Sequence, residues 1–130
     1  MKNIVINLIL AIFAFSLSFV FMPIGIIVAA LFLIIKSDLK LVKKYFERLF
    51  LNMAISLDIL GNYVCSILFN LTLIKKNDKA YRFGKEGETI SSALGKNLLA
   101  GNLTLIGRTL NSALNFLDRN HSIKSINNQL

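Results

Sequence analysis

From Ile4 to Ile35 the chain carries no charge, and its only polar residues there are Asn7, Ser16 and Ser18. A bilayer core is crossed by about 20 helical residues at 1.5 Å each. The run exceeds one span and falls short of two spans with a loop. Pro23 and Gly25 lie past its middle, where a missing amide hydrogen and a permissive backbone allow a kink or a turn. Either one long helix is kinked at Pro23, or Ile4–Phe21 and Ile24–Ile35 form a tight hairpin. The second arm of that hairpin is too short to cross, which favours the single kinked span. The run is longer than a signal-peptide core, and Ala29-Ala30 lead into Leu31-Phe32-Leu33 without a cleavage pattern, so an uncleaved anchor is expected.

From Ser37 to about Ile74 the pattern becomes helical and two-faced. Leu39, Val42, Phe46, Leu49 and Met53 recur at intervals of three and four. Further on, Asn52, Ser56, Asn62, Ser66 and Asn70 fall within one stripe about 120° wide, opposite Leu57, Leu60, Val64, Ile67, Leu68 and Leu71. A polar face of amides and hydroxyls suits hydrogen bonding to a neighbouring helix. The stretch 49–74 is therefore expected to be a partner-binding helix, its amides satisfied by the helix from Leu103, a second copy or another membrane protein. Lys75–Gly87 reads as a charged loop with Gly84 and Gly87 as turn formers. Glu88 or Thr89 starts a helix to Ala100, with Thr89 as its N-cap. After Gly101-Asn102, a last helix is expected from Leu103 to Asp118, with apolar Leu103, Ile106, Leu110, Ala113, Leu114 and Leu117. Asn120 serves as its C-cap and 127–130 as a frayed tail. The fold expected is an all-α membrane protein, with a kinked transmembrane helix or tight hairpin in residues 1–35. About three amphipathic helices follow in a basic, membrane-associated region, 36–130.

Charge refines this picture. The net charge of +8 could suggest nucleic acid. The basic residues instead gather just beyond the apolar segments, at Lys36, Lys40, Lys43, Lys44 and Arg48, and again across 75–97. Membrane topology and anionic headgroups select that placement. It predicts an inner-membrane protein with the bulk of 36–130 on the cytoplasmic side, and no nucleic-acid partner. Base-stacking aromatics do not alternate with the cations. Cys65 is the only cysteine, so no internal disulfide can form.

Candidate chemistry is sparse. Asp58 is the only acid between Glu47 and Asp78 and sits in an apolar stretch, where a carboxylate needs a partner. His121 is the only histidine; Asp118 stands three residues before it, and a histidine there also complements a helix C-terminus. Asp58, Glu88 and His121 could supply an O,O,N metal set, but nothing in their spacing requires one. The glycines before Thr89 lack the Gly-Lys-Ser/Thr ending of a phosphate loop, and acids surround them. No catalytic, cofactor or metal site is expected.

At Glu88-Thr89-Ile90-Ser91-Ser92, followed by Gly95-Lys96, the chain resembles a family of small uncharacterised proteins of tailed phages and prophages. The resemblance spans roughly 53–126 and takes in Asp58 and Asn62 before the motif and Asp118 and His121 after it. A cysteine follows the histidine in the family pattern, where Ser122 stands here. The resemblance implies a phage origin and a host-envelope setting, and it nominates Asp58, Asn62, Glu88, Thr89, Ser91, Gly95, Asp118 and His121 as a shared surface or core. The function expected is non-enzymatic: binding a host membrane protein, or self-assembly into an oligomer, in contact with anionic lipid. A holin-like lysis protein is the runner-up, and a membrane-tethered hydrolase using Glu88 and His121 comes third.

The uncharged run yields a direct expectation. The protein stays in the membrane pellet through carbonate and high-salt washing; release into the supernatant would refute the anchor.

Overall fold

A computed structural model describes residues 2–35 and 39–127 and shows a helical chain. Its elements are α1 (Lys2–Ile35), α2 (Leu39–Val64), α3 (Ser66–Thr72), α4 (Ile90–Leu99), α5 (Leu105–Leu117) and α6 (His121–Asn127). Among the described residues there is no strand, only an isolated antiparallel bridge between Ile74 and Leu103. The basic position Lys36 and the expected tail at 128–130 lie outside the described residues. The chain divides into two compact units, Met1–Leu49 and Phe50–Leu130.

In the first unit, α1 runs unbroken for 34 residues through Pro23, so the hairpin reading is not borne out. Proline removes one amide donor from the ladder but leaves the helix on both sides intact. At 1.5 Å per residue α1 is about 50 Å long, more than the about 30 Å of a hydrocarbon core. It is the one described helix long and apolar enough to cross a membrane by itself. Its side chains are almost all exposed, Phe19 to 77%. The Ser16 hydroxyl donates to the Ile12 carbonyl at 2.8 Å, so this polar group is satisfied within the helix.

In the second unit, the expected continuous helix to Ile74 is broken. Cys65 departs from helical dihedrals (φ −96°, ψ 8°) while its amide still donates to Gly61 and its carbonyl accepts from Phe69, both at 2.9 Å, and α3 is bent 75° from α2. The chain after α3 pairs with the segment before α5: the Lys75 amide donates to Asn102 at 2.8 Å and the Thr104 amide to Leu73 at 2.9 Å. Around that bridge sits a small apolar core of Leu73, Ile74, Ala80, Phe83, Ala93, Leu94 and Leu103. Phe69 and Phe83 meet edge to face with ring centroids 5.4 Å apart.

Two threonines start the next helices, Thr89 as the pattern predicts and Thr104 where the expected helix already includes it. The Thr89 hydroxyl accepts the Ser92 amide, and Thr104 accepts the Gly107 amide while donating to the Thr72 carbonyl at 2.6 Å. Asn120, at φ 60°, turns the chain after α5, and α6 follows where no helix is expected from sequence. His121 thus opens a helix and does not close one. Five helices, not three, follow α1. The inward side of α5 is also rotated from its expected apolar face: Gly107 and Asn111 are buried, while Ile106 and Leu117 stay exposed.

The closest packing is glycine-mediated. A β-carbon at Gly95 would collide with the Ser122 carbonyl on α6, and one at Gly107 with the Leu73 carbonyl. Neither obstacle is a flexible side-chain end. Gly95→Ala and Gly107→Ala are each expected to destabilise the second unit by about 1–3 kcal/mol, the usual penalty of overpacking. Thermal unfolding in detergent micelles measures it; an unchanged midpoint would refute the packing.

Candidate binding groove

The loop between α3 and α4 is held by asparagine side chains, each presenting an amide to the loop's own amides. Asn70 accepts from the Phe83 amide at 2.9 Å and donates to the Phe83 carbonyl at 3.2 Å. Asn97 does the same with Tyr81, at 2.9 and 2.7 Å, and also donates to Ala93. Asn62, fully buried, accepts from the Gly84 amide at 3.0 Å and donates to the Glu88 carbonyl at 2.8 Å. Asn102 donates to the Lys79 carbonyl and accepts from Asn77, both at 3.0 Å. A carboxamide has one donor face and one acceptor face, as a peptide does, so it can pair with an extended backbone as a neighbouring strand would. Gly84 has φ +95° and rides so close to the α2–α3 elbow that a β-carbon would strike Ser66.

Glu88 closes the loop. Its carboxylate is 5% exposed and accepts from Lys96 Nζ at 2.6 Å and from the Ser92 hydroxyl at 3.0 Å. Lys96 also donates to the Tyr81 hydroxyl at 3.0 Å, and the ammonium groups of Lys85 and Lys96 lie 3.7 and 4.3 Å from the Tyr81 ring centroid. Burial pulls the Lys96 ammonium down, but its bonds to Glu88 and Tyr81 and the Glu88 charge together outweigh that and hold it above its ordinary range.

In front of this clamped loop lies a groove of about 650 Å³, within the range of ligand sites. Leu51, Ala54, Ile55, Leu57, Asp58 and Ile59 of α2 form one wall. Gly87, Thr89, Ile90 and Ser91 form the floor, and Leu114, His121 and Ser125 close the far side. The lining is mainly apolar, with Asp58, Thr89 and Ser91 where α4 begins and His121 and Ser125 of α6 on the far side. Asp58 accepts the Ser91 amide at 3.3 Å, which puts a carboxylate at the positive end of α4. His121 Nδ1 lies 3.1 Å from Asp118 Oδ2, and Lys124 donates to the other oxygen of Asp118 at 2.6 Å. The hydrogen bonds from Lys124 and then His121 hold the Asp118 carboxyl below its ordinary range.

The structure thus sorts the residues singled out from sequence. Asp58, Thr89, Ser91 and His121 share the groove. Asn62, Asn70 and Glu88 stand behind it and hold the loop, Gly95 seats α6, and Asp118 orients His121 from outside. Asn62 and Asn70 do not await a partner, as sequence suggests: the chain's own loop satisfies them. Asp58 faces an amide and not a lysine. Among the described residues no three acids, histidines or cysteines are placed to hold a metal; Asp58, Glu88 and His121 do not converge. Sequence reasoning missed Asn97, Asn102 and Lys96, though the density of asparagines around a charged loop was visible. Comparison of the chain with family models, curated proteins and solved structures finds no match.

Two outcomes follow from the clamp. Asn62→Leu and Asn70→Leu each strand a loop donor and acceptor and are expected to cost about 1–3 kcal/mol per group left unpaired. Chemical denaturation reads this, and intact stability in the double variant would refute the clamp. The raised Lys96 contributes stability that is complete below its unfolded value of 10.5 and lost as pH climbs through the higher folded one. The wild-type melting temperature should therefore fall above that pH, and Glu88→Gln should remove this alkaline component. Lys96→Met, which strands the buried carboxylate, should cost more at neutral pH, on the order of 3 kcal/mol.

Proposed function

We propose that the protein is a membrane-anchored binding module of phage type, held in the bacterial inner membrane by α1 with its second unit on the cytoplasmic side. Its groove takes an apolar helix of a membrane protein, either a host protein or a second copy of this chain. The observation that carries the reading is the groove itself: an apolar wall from α2 with Ile90 and Leu114 across from it, and the Asp58 carboxylate beside the Thr89 and Ser91 hydroxyls where α4 begins. Helix-in-groove recognition uses such a surface, with apolar anchors supplying affinity and a few polar groups fixing register. Asp58 selects an occupant bearing a basic side chain or a donor hydroxyl at the matching position. The basic residues beyond α1, Lys40, Lys43, Lys44 and Arg48, support the cytoplasmic orientation.

A binding role fits the polar groups better than hydrolysis. Glu88 is engaged by Lys96 and Ser92 and does not line the groove. Ser91 and His121 share the groove without a hydrogen bond between them. A nucleophile and base acting together need that contact.

A photo-crosslinking amino acid at Leu57, in the groove, is expected to capture a discrete membrane polypeptide in host cells. The same probe at Phe116, on the exposed outside of α5, should not. Asp58→Asn retains an acceptor for the Ser91 amide but loses the charge. It should weaken capture by about tenfold or more, since a hydrogen bond to a charged group is worth about 1.5–3 kcal/mol. Equal crosslinking from both positions, or capture indifferent to Asp58→Asn, would overturn the reading.

A further inference from the structure

The second unit is inverted in polarity along α2 and α3. The later part of the amide stripe turns inward, with Asn62 fully buried and Ser66 and Asn70 half-buried, while Asn52 and Ser56 stay exposed. Opposite that inward part the apolar stripe faces out, and Leu60, Val64, Ile67 and Leu71 are all more than half exposed. That stripe continues onto another element. The Ile74–Leu103 bridge and the Thr104–Thr72 hydrogen bond hold the end of α3 against the start of α5, where Leu105 and Ile106 are also exposed, Leu105 to 79%. Lys75 and Lys76 follow Leu73 and Ile74 after the end of α3, and Arg108 stands one turn beyond Leu105. A contiguous apolar face bordered by cations is complementary to an anionic bilayer, where acyl chains meet the side chains and headgroups the ammonium and guanidinium groups.

We infer that this α2–α3–α5 face is a second lipid-contact surface, on which the unit lies in the headgroup region of an anionic bilayer. The inference rests on the reading of α1 as an anchor and adds how the second unit meets the same membrane. Together α2 and α3 are long and apolar enough for a bent span, but their inward side is covered by the charged loop that Asn62 and Asn70 clamp. Lipid therefore meets one face only, and the two helices lie along the surface. The 75° bend suits this, because both arms of the elbow can rest on a plane while wrapping the loop above it.

The test uses the full chain with Cys65→Ser and single cysteines carrying an environment-sensitive fluorophore at Phe15, Ile67, Ile106 or Lys79. The protein is reconstituted into vesicles of phosphatidylethanolamine and phosphatidylglycerol. Fluorescence is quenched in turn by aqueous iodide and by lipid nitroxides placed near the headgroup or deep in the chains. The expected result is loss of signal at Ile67 and Ile106 to the shallow nitroxide and at Lys79 to iodide only. Quenching at Ile67 and Ile106 should diminish in phosphatidylcholine alone or at high salt. Quenching of Ile67 and Ile106 by iodide to the extent of Lys79 overturns the inference. So does deep quenching at Ile67, which marks a span, or shielding from every quencher with crosslinked copies, which marks a protein interface. Phe15 reports separately on the anchor: if it is not quenched by the deep nitroxide, the reading of α1 fails instead.

Discussion

Pairing between asparagine side chains and the backbone of the 77–88 loop is the interaction on which the second unit depends. Its apolar core is small, seven residues of which two are alanines, and hydrophobic burial alone offers little to hold five helices in register. The amides of Asn62, Asn70, Asn97 and Asn102 supply the specificity. Each satisfies backbone groups of a segment that has no ladder of its own. An unpaired buried amide is costly and a paired one only modestly favourable. The network therefore acts chiefly by excluding other arrangements of the loop. Because the loop is fixed, Glu88 reaches Lys96, Thr89 caps α4, and the floor of the groove has a defined shape.

The amides also explain the unusual surface. A helix stripe that spends its polar residues on an internal loop leaves its apolar residues outside. In water such an exterior would drive aggregation; beside a bilayer, as proposed, lipid would take the place of the missing core. The same inversion connects the groove to the membrane reading, since Leu57 belongs both to the outward stripe and to the groove wall. A partner helix arriving through the lipid would meet the carboxylate of Asp58 at the edge of an otherwise apolar path.

Much of the helical framework was legible from periodicity and caps. The uncharged run, the Thr89 start, the Gly101 stop and the Asn120 turn each depend on local chemistry that sequence states directly. The break at Cys65 was not legible, because no proline marks it and the stripe from Asn52 to Asn70 is geometrically continuous. The elbow forms where Asn62 and Asn70 reach successive parts of one loop, a demand set by residues thirteen or more positions away. The same long-range demand assigned the amides to the chain itself, where periodicity suggested a separate helix. Helix α6 was hidden for another reason: seven residues of mixed polarity carry little periodic signal, and their place is fixed by Gly95 accepting the Ser122 backbone. Of the groove, Asp58 and His121 stood out as isolated titratable groups, but nothing in their spacing disclosed a shared cavity.

The clamp pairs residues far apart in the chain: Asn62 with Glu88 across 26 positions, and Asp58 with Ser91 across 33. None of these closures can occur until the segment through α4 has left the ribosome, whereas α1 emerges first. The order of synthesis therefore delivers the apolar helix α1 while the α2–α3 stripe still lacks its inner covering. With α1 in a membrane, as proposed, loop-closure entropy would work against a chain already confined to a surface, and confinement reduces the conformations that closure must remove. On the proposed membrane reading, a late-folding unit on an early-committed tether would spend its unfolded lifetime at the bilayer, where exposed apolar side chains find lipid before they find one another.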